Sequence, residues 1–332
     1  MSNNKLTDWR KLHGTAFEGR AALVTGGAGF IGSHLATALN ELGAKVTVLD
    51  DLSGGGDPAN LPRGVEFVKG SILDQALLQR CTDGRQWVFH QAALGSVPRS
   101  IEQPRLYHEV NTTGTFNVLE AARAAKVKRL MFAASSSAYG DSPTLPKIES
   151  MPPSPRSPYA ASKAAGEAML SAYGICFALE TVSLRYFNIF GPRQSADNAY
   201  AAVIAAFAKS LSAGKRPTIY GDGEQSRDFT YVDNVVHANL LAASRPQRVA
   251  GPVINIACGG RITVNELAHA MAEGWNRPEL KPVHAPERAG DVKHSLADLG
   301  RARELLGYQP IVDFSRGLAV TMEWYKAAMA GK

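Results

Sequence analysis

Tyr159 and Lys163 stand four residues apart in the run Tyr159-Ala-Ala-Ser-Lys163, directly after Pro158. On a helix this spacing puts both side chains on one face, one turn from each other. A free tyrosine has a pKa near ~10 and is a poor base at neutral pH. A neighbouring ammonium favours the phenolate, so such a pair can take a proton from an alcohol and give it back. Upstream, Ser135-Ser136-Ser137 ends the apolar run Leu130–Ala134. A hydroxyl there can hydrogen-bond the same substrate oxygen, while at least one of the three serves its own backbone.

A second constellation supplies the other half of the chemistry. Thr25-Gly26-Gly27-Ala28-Gly29-Phe30-Ile31-Gly32 lies between a strand pattern and a helix pattern. Glycines spaced in this way allow a tight turn and let backbone N–H groups approach a pyrophosphate at the helix N-terminus. Asp50 ends the next strand, close to the usual ~20 residues beyond the last glycine. Its carboxylate would hold the adenosine ribose hydroxyls and repel a 2′-phosphate, and no Arg lies between Asp50 and Leu61 to receive one. NAD is therefore favoured over NADP. Its cationic nicotinamide would further favour the Tyr159 phenolate.

These groups need a scaffold that brings strand ends together. Arg20–Val24, Lys45–Leu49, Val65–Val68, Gln86–Phe89, Arg129–Ala134 and Glu180–Leu184 read as short strands. Helical patterns run over Phe30–Leu42, Asn111–Ala125 and Tyr159–Tyr173. Alternating strands and helices predict an α/β fold, a doubly wound parallel sheet covered on both faces. Residues 1–19 form a polar lead-in with a helical pattern at Leu6, Trp9 and Leu12, and Met151–Pro158 is too Pro-rich for helix or central strand. After about residue 188, Pro and Gly punctuate shorter elements, among them helices near Thr263–Trp275 and Asp298–Leu306. The expected division is a dinucleotide-binding domain over 1–187 and a smaller C-terminal α/β substrate lobe over 188–332, with some crossing of chain between them.

Composition narrows the class. Apolar residues are 45% and charged residues 20%, which fits a globular chain. The apolar run Ala199 to Ala208 is too short to span a bilayer, and Met1-Ser-Asn-Asn-Lys5 lacks the apolar core of a secretory signal. Cys81, Cys176 and Cys258 have no paired spacing, which argues against a disulfide framework or a zinc site. The net charge of +6 is scattered, without the basic stripe and interleaved aromatics of a nucleic-acid binder. A cytoplasmic enzyme that binds no membrane and no metal is the expectation.

The glycine motif, His90-Gln-Ala-Ala93, Asn111-Thr-Thr-Gly-Thr115, Ser135-Ser-Ser-Ala-Tyr139-Gly140, the Tyr159/Lys163 pair and Leu184-Arg-Tyr-Phe-Asn188 together resemble an extended short-chain dehydrogenase/reductase of the NAD-dependent epimerase/dehydratase group. The resemblance covers about residues 18–328. It implies a Rossmann domain that binds NAD and a lobe that binds a nucleotide-sugar. By position, Gly26, Gly29, Phe30, Ile31 and Gly32 would lie on the pyrophosphate, and Asp50, Asp51, Ser53, Gly54, Ser71 and Ile72 around the adenosine. Gln91, Ala92 and Ala93 would line the cofactor, Asn111 would steady it, and Phe187 would approach the nicotinamide. Ser135, Tyr159 and Lys163 match the catalytic residues. Two positions depart from the family pattern: Ser71 stands where Asp is frequent, and Gly95 where many members carry a pyrophosphate-binding Lys.

The resemblance also bears on the reaction. Members of this family first oxidise a sugar carbon. Dehydratases then use an Asp and a Glu where this chain has Ser136 and Ser137, and uronate decarboxylases place a Glu at the second position. Without those acids the 4-ketone can only be reduced again, from either face, which is C4 epimerisation. Tyr159 would take the C4 hydroxyl proton, Ser135 would polarise the oxygen, and Lys163 would hold the ribose. A UDP ligand is implied by Asn188 and Arg227 at the diphosphate, Tyr220 and Thr218 at the uracil, Ala202 and Val203 through their backbone, and Arg288 and Asp291 at phosphate and ribose. Ser96, Ser136 and Ser137 would face the sugar. Ser295, four residues after Asp291, would do so as well, and its small size leaves room for a 2-acetamido group. The segments His90–Ser100 and Asp291–Asp298 resemble the 4-epimerases that prefer acetylated sugars, so UDP-N-acetylglucosamine and UDP-N-acetylgalactosamine are the expected pair. Alternatives are a UDP-glucuronate or UDP-N-acetylhexosaminuronate 4-epimerase and, more remotely, a non-catalytic NAD-binding regulator. The family also implies a homodimer through the helices near Asn111–Ala125 and Tyr159–Tyr173, with Ala121, Ala122, Ala161, Ala164 and Ala165 permitting close approach.

Overall fold

The computed structural model of the chain describes residues 5–196, 203–287 and 293–330. Its centre is a sheet of seven parallel strands: β1 (Ala21–Thr25), β2 (Lys45–Asp50), β3 (Glu66–Lys69), β4 (Trp87–His90), β5 (Arg129–Ser135), β6 (Glu180–Tyr186) and β11 (Ala250–Ile256). Their order is β11-β6-β5-β4-β1-β2-β3. The chain starts in the middle, runs to one edge, then returns to lay β4 on the other side of β1. A crevice opens where the order reverses, beyond the carboxyl ends of β1 and β4. The four residues of β4, Trp-Val-Phe-His, are all buried, as a strand covered on both faces requires.

Helices α1 (Trp9–His13), α2 (Phe30–Glu41), α3 (Gln75–Thr82), α4 (Val97–Glu102), α5 (Pro104–Tyr107), α6 (Gly114–Ala124) and α7 (Pro158–Cys176) accompany the first six strands. Ser157 caps α7 by accepting from the Ala160 N–H at 3.1 Å, and Pro158 occupies its first turn, so the start of the helix that carries Tyr159 and Lys163 is fixed. The region expected as one helix from Asn111 is different. A π-helical stretch, His108–Thr113, precedes α6. This turn widens the backbone where the Asn111 side chain must point inward.

The remaining elements are β7 (Ile189–Phe190), α8 (Val203–Ser212), β8 (Thr218–Tyr220), β9 (Ser226–Arg227), β10 (Thr230–Tyr231), α9 (Val232–Ser244), β12 (Ile262–Thr263), α10 (Val264–Gly274), β13 (Val283–Ala285), α11 (Gly300–Leu306) and α12 (Phe314–Met329). Short pairs β7–β10, β8–β13 and β9–β12 knit them together. Two elements from this half of the chain join the main body. Strand β11 pairs with β6, and the buried Val235, Val236 and Ala238 of α9 belong to the core cluster that includes Val24, Leu35 and Leu184. A separate cluster built on Phe190, Phe207, Leu267 and Met271 fills the smaller lobe. Among the described residues no helix is long and apolar enough to cross a membrane, and no group of His, Cys, Asp or Glu is placed to hold a metal ion.

Candidate active site

The crevice holds a cavity of about 320 Å³. Gly26, Gly29, Phe30, Ile31 and Gly32 line one side, and Asp50, Asp51, Ser53, Gly54 and Ile72 one end. Gln91, Ala92 and Ala93 lie across from the glycines, with Tyr159 and Lys163 also in the wall. Helix α2 begins at Gly29 with no side-chain cap, whereas Asp74, Ser96 and Ser157 cap α3, α4 and α7. Its first N–H groups are therefore left for an anion. A Cβ at Gly32 would sit 2.1 Å from the Gly26 carbonyl oxygen, so no other residue fits there without moving the turn. At Gly26, φ is +68° and a Cβ would meet the Ala92 backbone at 2.6 Å. The glycine turn is thus pressed against the strand end opposite it.

Asp50 does two things at once. Its Oδ2 accepts from the Ala28 N–H at 2.9 Å and its Oδ1 from the Leu52 N–H at 2.8 Å, which ties the glycine turn to the end of β2. Burial raises its pKa, opposed by these N–H groups. Beside it, Asp51 Oδ1 accepts from the Ser53 N–H and hydroxyl at 2.9 and 2.5 Å. An uncapped helix start, glycines with no room for a side chain, and a carboxylate at the far end form a cradle that fits NAD.

Other expected cofactor residues support the wall from behind. Asn111 is buried. Its Oδ1 accepts from the Leu94 N–H at 2.9 Å, and its Nδ2 donates to the Leu94 carbonyl at 3.1 Å and to Ser162 Oγ at 3.1 Å. All its polar atoms are used to hold the 92–95 stretch against α7. Ser71 Oγ accepts from the Leu73 N–H at 3.2 Å, a local turn bond. Neither residue lines the cavity. Phe187 is fully buried, its ring 6.1 Å from that of Tyr139, so its side chain turns into the core and not toward the cavity. Gly95 does line the cavity, and a Cβ there would meet no atom within 4 Å.

At the catalytic end, Ser135 closes β5 and caps the tight turn Ser136–Tyr139. Its Oγ accepts from the Ser137 N–H at 3.2 Å and lies 2.8 Å from Ser137 Oγ. Lys163 is buried, and its Nζ donates to the Ala133 carbonyl at 2.8 Å. It stands 4.9 Å from the Phe132 ring centre and 6.0 Å from that of Tyr159. Burial lowers the Lys163 pKa to about 7, and Glu167 opposes that. Burial raises the Tyr159 pKa, while its hydrogen bond with Ser135 lowers it. The amine thus donates to β5, and burial is the largest influence on both groups. His90 is also buried, between Thr25 Oγ1 at 2.8 Å and Thr115 Oγ1 at 3.0 Å, and burial drives its pKa down to about 3. It stays neutral and holds strand ends together.

Tyr186, absent from the expected site residues, also lines the cavity. It pairs in register with Ser135, and its hydroxyl accepts from Asn239 Nδ2 at 2.8 Å. It stood inside the Leu184–Asn188 motif, and the alternation along β6 was the available signal.

On the substrate side, Asn188 adopts φ +40° and its Nδ2 donates to Ser295 Oγ at 2.9 Å and to the Asp228 carbonyl at 3.2 Å. Arg227 Nη1 donates to the carbonyls of Ser226 and Lys293, each at 3.1 Å. Asn188, Arg227 and Ser295 are thus gathered around one short segment. Thr218 and Tyr220 flank the buried Ile219 on β8, and the Tyr220 carbonyl accepts from Gln225 Nε2 at 2.7 Å, which ties β8 to the same loop. Ser96 caps α4 by accepting from the Arg99 N–H at 3.3 Å. Val203 opens α8 and is half-buried. Ala202, Arg288 and Asp291 lie outside the described residues.

The family model "NAD dependent epimerase/dehydratase family" matches residues 22–257. A UDP-glucose 4-epimerase of Mycolicibacterium smegmatis is 39% identical over 310 residues, covering 92% of this chain and 98% of that one. A dTDP-glucose 4,6-dehydratase of an Actinoplanes species is 34% identical over 318 residues, covering 92% and 97%. The structure of a UDP-N-acetylglucosamine 4-epimerase from Methanobrevibacter ruminantium, in complex with UDP-N-acetylmuramic acid, superposes with a TM-score of 0.89 at 38% identity, covering 94% and 100%. With a cradle that fits NAD and this likeness along nearly its whole length, the chain belongs to the NAD-dependent epimerase/dehydratase family.

Proposed function

We propose that this chain is a UDP-sugar 4-epimerase that interconverts UDP-N-acetylglucosamine and UDP-N-acetylgalactosamine, with UDP-glucose and UDP-galactose as further substrates. The observation that carries the reaction type is the turn after β5. Ser135, Ser136 and Ser137 bring hydroxyls, and no carboxylate, to the place where an elimination would need an acid and a base. Bound NAD would supply a hydride acceptor and donor for one sugar carbon. The chain's own residues do the rest. Tyr159 takes the proton of the sugar hydroxyl and returns it to the ketone oxygen. Ser135, hydrogen-bonded to Tyr159, holds that oxygen and offsets the effect of burial on the phenol. Lys163, with its pKa near neutrality, supplies positive charge to the cavity wall.

The substrate assignment rests on Ser295 beside Asn188. A serine leaves space that a tyrosine would fill. Known relatives act on plain, acetylated and acidic sugars, as the UDP-glucose, UDP-N-acetylglucosamine and UDP-glucuronate 4-epimerases among them indicate. An acidic sugar would want a cation at its carboxylate, and among the described residues lining the cavity Lys163 is the one cation. That favours a neutral sugar. A panel of UDP-hexoses followed by NMR of the C4 epimers tests the reading.

The homodimer is part of the same proposal. Val97, Ile101, Leu106 and Phe116 stand exposed on α4, α5 and α6, with Ala161 exposed on α7. Ala121 and Ala122 are buried within the protomer and do not belong to that face. A monomeric mass at micromolar concentration would count against it.

A further inference from the structure

We propose that Asp228 is a positioning residue for the sugar-nucleotide side of the site: it docks the segment 293–297, which carries Ser295, onto the turn that follows β11. The inference rests on the reading above and deepens it.

Asp228 is fully buried and follows Arg227 directly. Its Oδ1 accepts from the Cys258 N–H at 3.0 Å. Its Oδ2 accepts from the Gly259 N–H at 3.1 Å and from the Ala297 N–H at 3.2 Å. One carboxylate therefore joins two stretches of chain that share no helix or strand. The first, 258–260, leaves the carboxyl end of β11, whose Ile256 pairs with Tyr186 beside the catalytic strand end. The second holds Ser295. The main chain of Asp228 serves the same assembly, since its N–H donates to Ser295 Oγ at 3.4 Å and its carbonyl accepts from Asn188 Nδ2. Burial pushes the Asp228 pKa up to about 6 against the pull of the surrounding N–H groups, so the group is ionised and purely an acceptor at neutral pH.

The neighbouring bonds explain why this carboxylate and not another fixes the segment. Ser226 donates its N–H to the Lys293 carbonyl and accepts from the Ser295 N–H, at 3.1 and 3.0 Å. On the other side, Lys147 donates its N–H to the Leu296 carbonyl at 2.7 Å. The segment is thus laced to neighbours along both edges, Asn188 ties it to the end of β6, and Asp228 ties it to the turn after β11. Substituting Asn leaves one acceptor oxygen and turns an NH2 toward backbone N–H groups: with the amide at the Oδ1 place the Cys258 bond is lost, with it at the Oδ2 place the Gly259 and Ala297 bonds are lost, and in either case an NH2 faces an N–H and weakens the tie.

The test compares Asp228→Asn with the wild type by calorimetric UDP binding, NAD released on denaturation, and steady-state kinetics. The expected result is a Kd for UDP raised about tenfold or more, a matching rise in KM, and kcat changed less than about threefold, with wild-type NAD content. A folded variant with unchanged UDP affinity overturns the proposal. So does a joint fall in NAD content, UDP affinity and kcat, which would mark general loosening. Should the Asn variant fail to fold, Asp228→Glu keeps the charge but displaces its oxygens, and a smaller loss of UDP affinity at full NAD content is expected; unchanged affinity again overturns it. A wild-type chain that binds no UDP would sink the epimerase reading as well, whereas UDP binding without the mutational effect sinks this inference alone.

Discussion

Asn188 and Ser295 meet through a hydrogen bond of 2.9 Å across 107 residues of sequence. Asn188 follows the sixth strand of the sheet, and Ser295 belongs to a segment of the smaller lobe. Their contact ties the end of the main sheet to the smaller lobe, and under the proposed function residue 295 is a determinant of which sugar fits.

Ser295→Tyr should therefore sharply depress turnover of the two acetylated UDP-sugars by filling that space, while sparing UDP-glucose and UDP-galactose. The comparison of kcat/KM across the four sugars checks it. Wild-type efficiency on UDP-N-acetylglucosamine in the variant would remove Ser295 from the sugar pocket.

Tyr159→Phe removes the hydroxyl that moves the proton and leaves the ring that lines the cavity. Turnover should fall by at least ~10²-fold with bound NAD retained. A loss below about tenfold would mean that another group carries the proton.

Lys163 gives a prediction in which the sign can be worked out. Its folded pKa, about 7, lies below the ordinary lysine value of 10.5, so between these values the unfolded chain holds more protons. Stability therefore rises with pH across that window, by up to about 1.4 kcal/mol per unit. Lys163→Met lacks this term. The melting-temperature difference between wild type and variant should move in favour of the wild type from pH 7 to 9, and a flat difference would contradict the buried, deprotonating amine.

The buried histidines act in the same sense at lower pH. His34 and His90 have pKa values driven to about 3 by burial, and His13 and His237, 3.0 Å apart, to about 4. Below pH 6.5 the unfolded chain takes up these protons first, so stability is lost as pH falls toward 4. Asp228 and Asp233, raised to about 6, and Asp50, raised by burial, work against this, while Glu120 and Glu266, held low by their hydrogen bonds, add to the loss. Thermal melts from pH 7 to 4.5 should show a falling midpoint, less steep in His90→Gln if that variant folds.

The parts of the site set by local spacing were legible in the sequence. The glycine turn, Asp50 and the Tyr159/Lys163 pair depend on a strand, a turn and a helix next to one another, and the structure places all of them on one cavity. What depends on distant chain was not legible. Strand β11 carries Pro252 and a register shift between Ala250 and Val253, which hid an edge strand of the main sheet inside a turn-rich stretch. The π-helical turn at His108–Thr113 has no signature in residue periodicity. The acceptor of the Lys163 amine, the Ala133 carbonyl, lies on a strand that helical spacing does not reveal.

The central claim is that a ketone formed at C4 is reduced again and never loses water. The direct measurement is proton NMR of UDP-N-acetylglucosamine incubated with the purified enzyme and no added reductant. The account predicts the appearance of UDP-N-acetylgalactosamine, approaching the same mixture from either sugar. Accumulation of a 4-keto-6-deoxy product, or no change in any UDP-hexose, would contradict it.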